Sequence, residues 1–319
     1  MKRLAAALCA LAFLTTAAMA QDWPVRAVRI IVPFGAGSTP DIVARLLAES
    51  LQAKLGQAFI VENKAGASGN TGTDAIAKAE PDGYTLGVSI GGPLAINTLL
   101  YARLPYDPEK DIAPITQLVT QPSILAVAND TGITSVAGLV KALKKEPEKY
   151  NYGSIGNGSV SHLSMEALAQ KSGAQIVHVP YPGSPAAVTA LIRNDVQIAV
   201  LPGISIYAQA ETAPIKMLAV TTAERSKLVP DLPTLRESGI DVEADAWQGL
   251  IAPAKTPPAV VAKIHREVVE AMRAPGIREK LAAQLMEPVG STPEELRAKI
   301  RAEVARWRPV IEAGKIKVN

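Results

Sequence analysis

Three observations predict an α/β chain folded as two lobes around a cleft. Apolar strand-like runs alternate with helical patterns along most of the chain, 319 residues is more than one domain commonly takes, and glycine- and hydroxyl-rich loops recur where strands give way to helices. Strands are predicted at 28–32, 58–61, 84–88, 124–127, 176–179, 198–201 and 217–220, each a short run rich in Val, Ile, Leu or Tyr. Helices are predicted at 40–55, 71–79, 135–145, 160–172, 185–193, 257–273, 276–285 and 293–313, from apolar residues at helical spacing. The alternation implies parallel sheets covered by helices, with ligands beyond the carboxyl ends of the strands. Residues 101–122 are rich in proline and turn formers and read as a connection, and Ala246–Ile251 as a return crossing. The expected organisation is a first lobe of 22–121 completed by 250–319, with a second lobe, 122–249, inserted between them.

The N-terminus sets the compartment. Lys2 and Arg3 precede an apolar core from Leu4 to Leu14, and Ala18-Met19-Ala20 supplies small residues for a signal peptidase. The apolar run is shorter than the ~20 residues of a bilayer span. Residues 1–20 are therefore expected to be a signal peptide, with a mature chain from Gln21 in the periplasm. The single cysteine, Cys9, falls inside that leader, so the mature chain has no disulfide and relies on its packed core.

Charge and composition exclude several partners. The 33 basic and 30 acidic residues are spread without a basic block, which argues against nucleic acid and anionic membrane surfaces. Aromatic residues are only 4% of the chain, too few for base-stacking platforms.

The loop after the first strand, Pro33-Phe34-Gly35-Ala36-Gly37-Ser38-Thr39-Pro40-Asp41, opens onto a helix N-terminus. Glycine lets backbone approach a ligand, and the free N–H groups of the first turn, with the helix dipole, attract an anion without a basic side chain. Ser38 or Thr39 suits the N-cap, Pro40 the first helical position and Asp41 the first turn. The second lobe repeats the device at Gly153–Ser159 and at Tyr181-Pro182-Gly183-Ser184, and Ser89–Pro93 leaves another first-lobe strand. Each loop taken alone is a well-capped turn. Four of them at strand carboxyl ends point to one shared site.

Rival chemistries lack their parts. Gly35-Ala36-Gly37 resembles the start of a dinucleotide fingerprint, with Glu62 near the ribose position, but Pro40 stands where the third glycine would pack helix on strand. Gly66-Ala67-Ser68-Gly69 is not a G-x-S-x-G elbow, so a secreted hydrolase lacks its nucleophile. Of the three histidines, His178 lies in a strand, His265 on a charged helix face, and His162 in a first turn where it is expected to line the site. No metal-ligand spacing appears, and neither a catalytic group nor a cofactor is expected.

The segments VRIIVPFGAGSTPDIVAR, LGQAFIVENKAGASGNTG, AEPDGYTLGV, LPYDPEKDIAPIT, YNYGSIGNGSVSHLSMEAL, VHVPYPGSPAAVTAL and DLPTLRESG…WQGLIAPAKTP run in order over the mature chain. Together they resemble the Bug-type receptors of tripartite tricarboxylate transporters. The resemblance implies a two-lobed periplasmic binding protein of type II, the Venus-flytrap architecture, that captures a small organic carboxylate. It implies delivery to a permease of one large and one small multi-span subunit; the receptor itself is expected to be a monomer. Carried onto this chain, the ligand residues are Phe34, Gly35, Ala36, Gly37, Ser38, Thr39, Asp41 and Ser89 in the first lobe. In the second lobe they are Ser154, Gly156, Gly158, Ser159, His162, Tyr181, Gly183 and Ser184. Ser38 stands where relatives often have glycine, Pro182 where they have a polar residue, and Leu201–Ile204 is apolar. A carboxylate with an apolar remainder is expected. A ligand sensor for a signalling system uses the same binding chemistry and is the alternative; a secreted α/β hydrolase is a more distant one.

Overall fold

The computed structural model describes residues 23–147 and 149–318. The expected leader, 1–20, lies outside them. The chain forms two mixed sheets, each with helices on its faces.

In the first lobe, β1 (Val28–Val32) leads to helix α1 (Thr39–Leu55), β2 (Phe59–Asn63), α2 (Asn70–Ala77) and β3 (Thr85–Ile90). The single turns α3 (Asn97–Leu100) and α4 (Pro108–Asp111) precede the long strand β4 (Ile112–Gln121). The second lobe follows as β5 (Ser123–Ala128), α5 (Val136–Lys145), β6 (Asn151–Ser154), α6 (Val160–Ser172), β7 (Val177–Pro180), α7 (Ser184–Ile192), β8 (Ile198–Pro202), α8 (Gly203–Ala210) and β9 (Ile215–Val220). The chain then returns through β10 (Ala246–Pro253), α9 (Pro258–Arg273), α10 (Pro275–Ala282), β11 (Glu287–Pro288) and the C-terminal helix α11 (Pro293–Gly314).

The first sheet has the order β11-β4-β10-β3-β1-β2 and the second β7-β6-β8-β5-β9. Neither is wholly parallel, in contrast to the expectation from the alternating pattern. β10 runs antiparallel to β3 and β4, and β5 antiparallel to β8 and β9. The reversals follow from the crossings. β4 runs toward the cleft and passes through Pro122 alone into β5, which enters the second sheet from the cleft side and so opposes its neighbours. β10 does the same on return. Thr221 ties the two crossings together: its N–H donates to the Ser123 carbonyl, and its own carbonyl accepts from Ala244 N–H.

Residues 101–122 are not only a connection, because their second half is the ten-residue strand β4. Pro114, which has no N–H for a ladder, sits at a register irregularity opposite Ile251, one of the places a sheet tolerates proline. Ala246–Gly249 pairs in the first sheet along with the rest of β10, although it was expected in the second lobe.

The first sheet is covered on one side by α1 and α9, where Ile30, Val32, Leu47, Leu86, Val88, Leu250 and Ile264 form one core. On the other side Ile31, Ile76, Trp247, Ile251, Leu296 and Ile300 form a second. The C-terminal helix does not stay with the first lobe. Its first half buries Leu296 and Ile300 there, while Trp307 and Ile311 join Leu139, Tyr152, Leu163 and Leu168 in the second-lobe core. Ile96 and Leu100, from the segment after β3, enter the same core. Among the described residues no helix is long and apolar enough to cross a membrane.

Candidate functional site

The carboxyl ends of β3, β4, β6 and β8 and the starts of β5 and β10 face one another across a cleft of about 120 Å³. Its polar wall includes Thr39, Gln121, Ser123, Ser159, Ser161, Asp245 and Gln248, and its apolar wall Ile90, Ile96, Ile155, Pro202 and Trp247. Among the described residues, no Lys, Arg or His lines it. Asp245 brings a carboxylate, but it accepts hydrogen bonds from Thr120 Oγ1 and Lys299 Nζ, both at 2.9 Å, so its charge is largely answered within the protein.

Of the residues expected at the ligand, Thr39, Gly158 and Ser159 lie on this wall, and Ser89 is next to Ile90 on it. Gly35, Ala36 and Gly37 form the exposed part of the same loop, with Phe34 half-buried beneath them. Ser38 is the N-cap of α1, yet its hydroxyl makes no capping bond; Ser38 Oγ is buried and has no partner. Ser159 behaves differently at the start of α6. It accepts from His162 N–H at 3.2 Å and donates to the Gly156 carbonyl at 2.7 Å. Ser154 Oγ also accepts from Gly156 N–H and lies 2.6 Å from His178 Nε2, which fixes the Gly156–Ser159 turn from below. Tyr181, Gly183 and Ser184 form the neighbouring loop into α7, tied back by Tyr181 N–H to the Ser154 carbonyl. They, with Ser154 and Gly156, support the wall without lining the cleft, while Ile155 between those two faces it.

Two expected ligand residues are committed elsewhere. Asp41 is 2% exposed and turns its carboxylate back into the loop. It accepts from Gly37 N–H at 2.8 Å, Asn63 Nδ2 at 2.9 Å and Arg45 Nε at 3.0 Å. Burial opposes its charge, but the bonds from Arg45, Gly37 and Asn63 and the Arg45 charge outweigh it and hold its pKa below the usual aspartate value. Asp41 thus braces the loop through which an anion would enter. His162 lies behind the wall: Gly158 N–H donates to its Nδ1 at 3.0 Å, so that nitrogen is unprotonated, and its Nε2 faces Glu166 Oε1 at 3.9 Å. Burial, then the neighbouring His178, push its pKa down to about 4; burial alone does the same for His178. Tyr152 packs beside this pair and donates to Glu166 Oε1 at 2.6 Å.

The sequence reading missed Gln121, Ser123, Asp245, Trp247 and Gln248. These sit at the two lobe crossings, and only sheet register brings them to the cleft. A return crossing near 246–251 was the one signal that pointed to them.

Two mixed sheets joined by paired crossings, with a cleft at the joint, form the two-lobed α/β architecture of periplasmic solute-binding proteins. The chain belongs to the tripartite tricarboxylate transporter family of receptors, whose model matches residues 43–316. It is 33% identical over 294 residues to BugT of Bordetella pertussis, covering 92% of this chain and 90% of that one. Among solved structures it resembles an R. palustris protein with adipate, at 34% identity and TM-score 0.84 over 92% of this chain and 99% of that one. It also resembles MatC of Rhodopseudomonas palustris with bound malate, at 30% identity and TM-score 0.78 over 91% of this chain and 100% of that one.

Proposed function

We propose that the protein captures a small organic carboxylate between its lobes and delivers it to a tripartite-type permease of one large and one small membrane subunit. The observation that carries this reading is Ser38. A helix N-cap serine normally spends its hydroxyl on its own helix; here it is buried, unpartnered and set at a positive helix end. Thr39 at the start of α1 and Ser159–Ser161 at the start of α6 add first-turn N–H groups and hydroxyls from both sides of the cleft. Fixed dipoles hold an anion here without a basic side chain. Gly35–Gly37, Ser89 and the Ser154–Gly158 and Tyr181–Ser184 turns shape and support the two halves of this clamp. The relatives solved with adipate and malate point to the same ligand class.

Closure about Pro122 and the 221–245 return buries the ligand and forms the surface a permease reads. The chain is exported by its first 20 residues and acts as a monomer. Thermal-shift measurements of the mature chain against carboxylates test the reading, since ligand held only by the folded state raises apparent stability, roughly 2.7 kcal/mol at a hundredfold excess over Kd. A melting temperature unmoved by mono-, di- and tricarboxylates alike would overturn it.

A further inference from the structure

Gln248 lies on β10, 1% exposed, on the wall of the cleft. It pairs with Ile90 on one side and Val119 on the other, and the register with β4 slips between Gln248 and Gly249, so that Leu118 is passed over. Such irregularities re-aim side chains beside binding sites. The amide is held at one end only. Nε2 lies 3.4 Å from Thr39 Oγ1, while Oε1 is buried and has no partner. Exchanging the two amide atoms would let Thr39 donate to the oxygen and would leave the NH₂ free instead. In either orientation the carboxamide of this wall residue keeps one polar atom without a partner.

On the reading of this cleft as a carboxylate site, we infer that Gln248 selects ligands with a hydroxyl on the carbon bearing the carboxylate. A hydroxyl both donates and accepts, so it satisfies the free end of Gln248 in either amide orientation. A methylene in that place satisfies neither and leaves a buried polar atom unpaired. The placement follows from Thr39. A carboxylate at the first turn of α1 lies against the Thr39 hydroxyl, which the same amide touches, so the ligand atom within reach of Gln248 is the one next to the carboxyl group. Leaving the amide unpaired costs enough to favour the hydroxy acid about tenfold or more.

Calorimetric titration of the mature protein with L-malate, D-malate and succinate, which differ only in that hydroxyl, tests the inference. One malate enantiomer is expected to bind at least tenfold tighter than succinate. In Gln248→Met, which keeps the length and removes both polar atoms, the ratio of malate to succinate affinity is expected to fall toward one. Gln248→Asn serves if the methionine variant misfolds: the amide is withdrawn from the cleft, and the ratio again is expected to fall. Equal binding of malate and succinate by the unaltered protein, or an unchanged ratio in the variant, overturns the role of Gln248 alone. Failure of every carboxylate to bind overturns the carboxylate reading and the selection together.

Discussion

The imidazoles of His162 and His178 lie face to face, ring centroids 3.9 Å apart and planes 9° from parallel. Tyr152 lies beside the pair, its ring centroid 4.9 Å from His178 and 6.3 Å from His162. His162 comes from α6, His178 from β7 and Tyr152 from β6, so the stack joins three elements beneath the Gly156–Ser159 turn. Two imidazolium rings cannot share this spacing, and His162 Nδ1 is already taken by the Gly158 amide. The polar groups facing the pair are Ser154, Glu166 and the Tyr152 hydroxyl.

Acid should therefore unfold the second lobe early. Both rings are lowered to about 4 in the folded protein against 6.5 in an open chain, so their contribution is fully present above pH 6.5 and is lost as pH falls from there toward 4. The loss by pH 4 is on the order of 2–3 kcal/mol for one such ring. Thermal melts from pH 8 to 4 should show a plateau and then a decline beginning near 6.5. His178→Phe, which keeps a flat ring in the stack, should flatten that decline; a decline of unchanged steepness would count against the pair.

Ser38 and Ser159 separate binding from stability. Ser38→Ala removes a hydroxyl that caps nothing, so the unfolding free energy should stay within about 0.5 kcal/mol while carboxylate affinity drops. Ser159→Ala removes a working cap and should cost about 1 kcal/mol. Urea unfolding of the two variants, beside titration with the best carboxylate, reads both quantities.

Asp41→Asn should weaken the first-lobe loop without touching the ligand. It loses the charged bonds to Arg45, worth roughly 1–3 kcal/mol when a buried group is left poorly partnered. The expected result is a lower urea midpoint at unchanged slope, together with faster amide exchange at Gly37.

Gly158 and Gly35 predict opposite outcomes for the same change. Gly158 has φ +72°, and a Cβ there would collide with the Leu100 side chain. Gly158→Ala should cost about 1–3 kcal/mol in strain and hold the lobes apart, seen as a larger radius of gyration in solution scattering. Gly35 has neither a positive φ nor any atom within 4 Å of a built Cβ, so Gly35→Ala should leave stability unchanged.

Much of the scaffold is legible from residue pattern. β1, α1 and α6 begin and end within a residue of their expected positions, because apolar periodicity, Pro40 in the first turn of α1 and the Ser159 cap of α6 are local signals. β4 and β6 escaped notice for physical reasons. Pro114 and neighbouring turn formers disguise a strand whose irregular register accommodates them, and Asn151–Ser154 reads as loop because its glycine and serine serve close packing under Tyr181. At the site, the hydroxyls at the strand ends were visible as a pattern, but their roles were not. Asp41 looks like a first-turn anion ligand until Arg45 and Asn63 are seen around it. Gln248 has no local mark at all; only the pairing of β10 between β3 and β4 puts it at the cleft.

The C-terminal helix rests Leu296 and Ile300 on one lobe and Trp307 and Ile311 on the other. Two adjacent strands alone would let the lobes twist and bend in several directions, like a card on a paper hinge. A helix laid across the joint acts as a strut that opposes twisting of one lobe against the other. Twisting would have to pull Trp307 and Ile311, or Leu296 and Ile300, out of their cores, so the helix ties the pose of one lobe to that of the other.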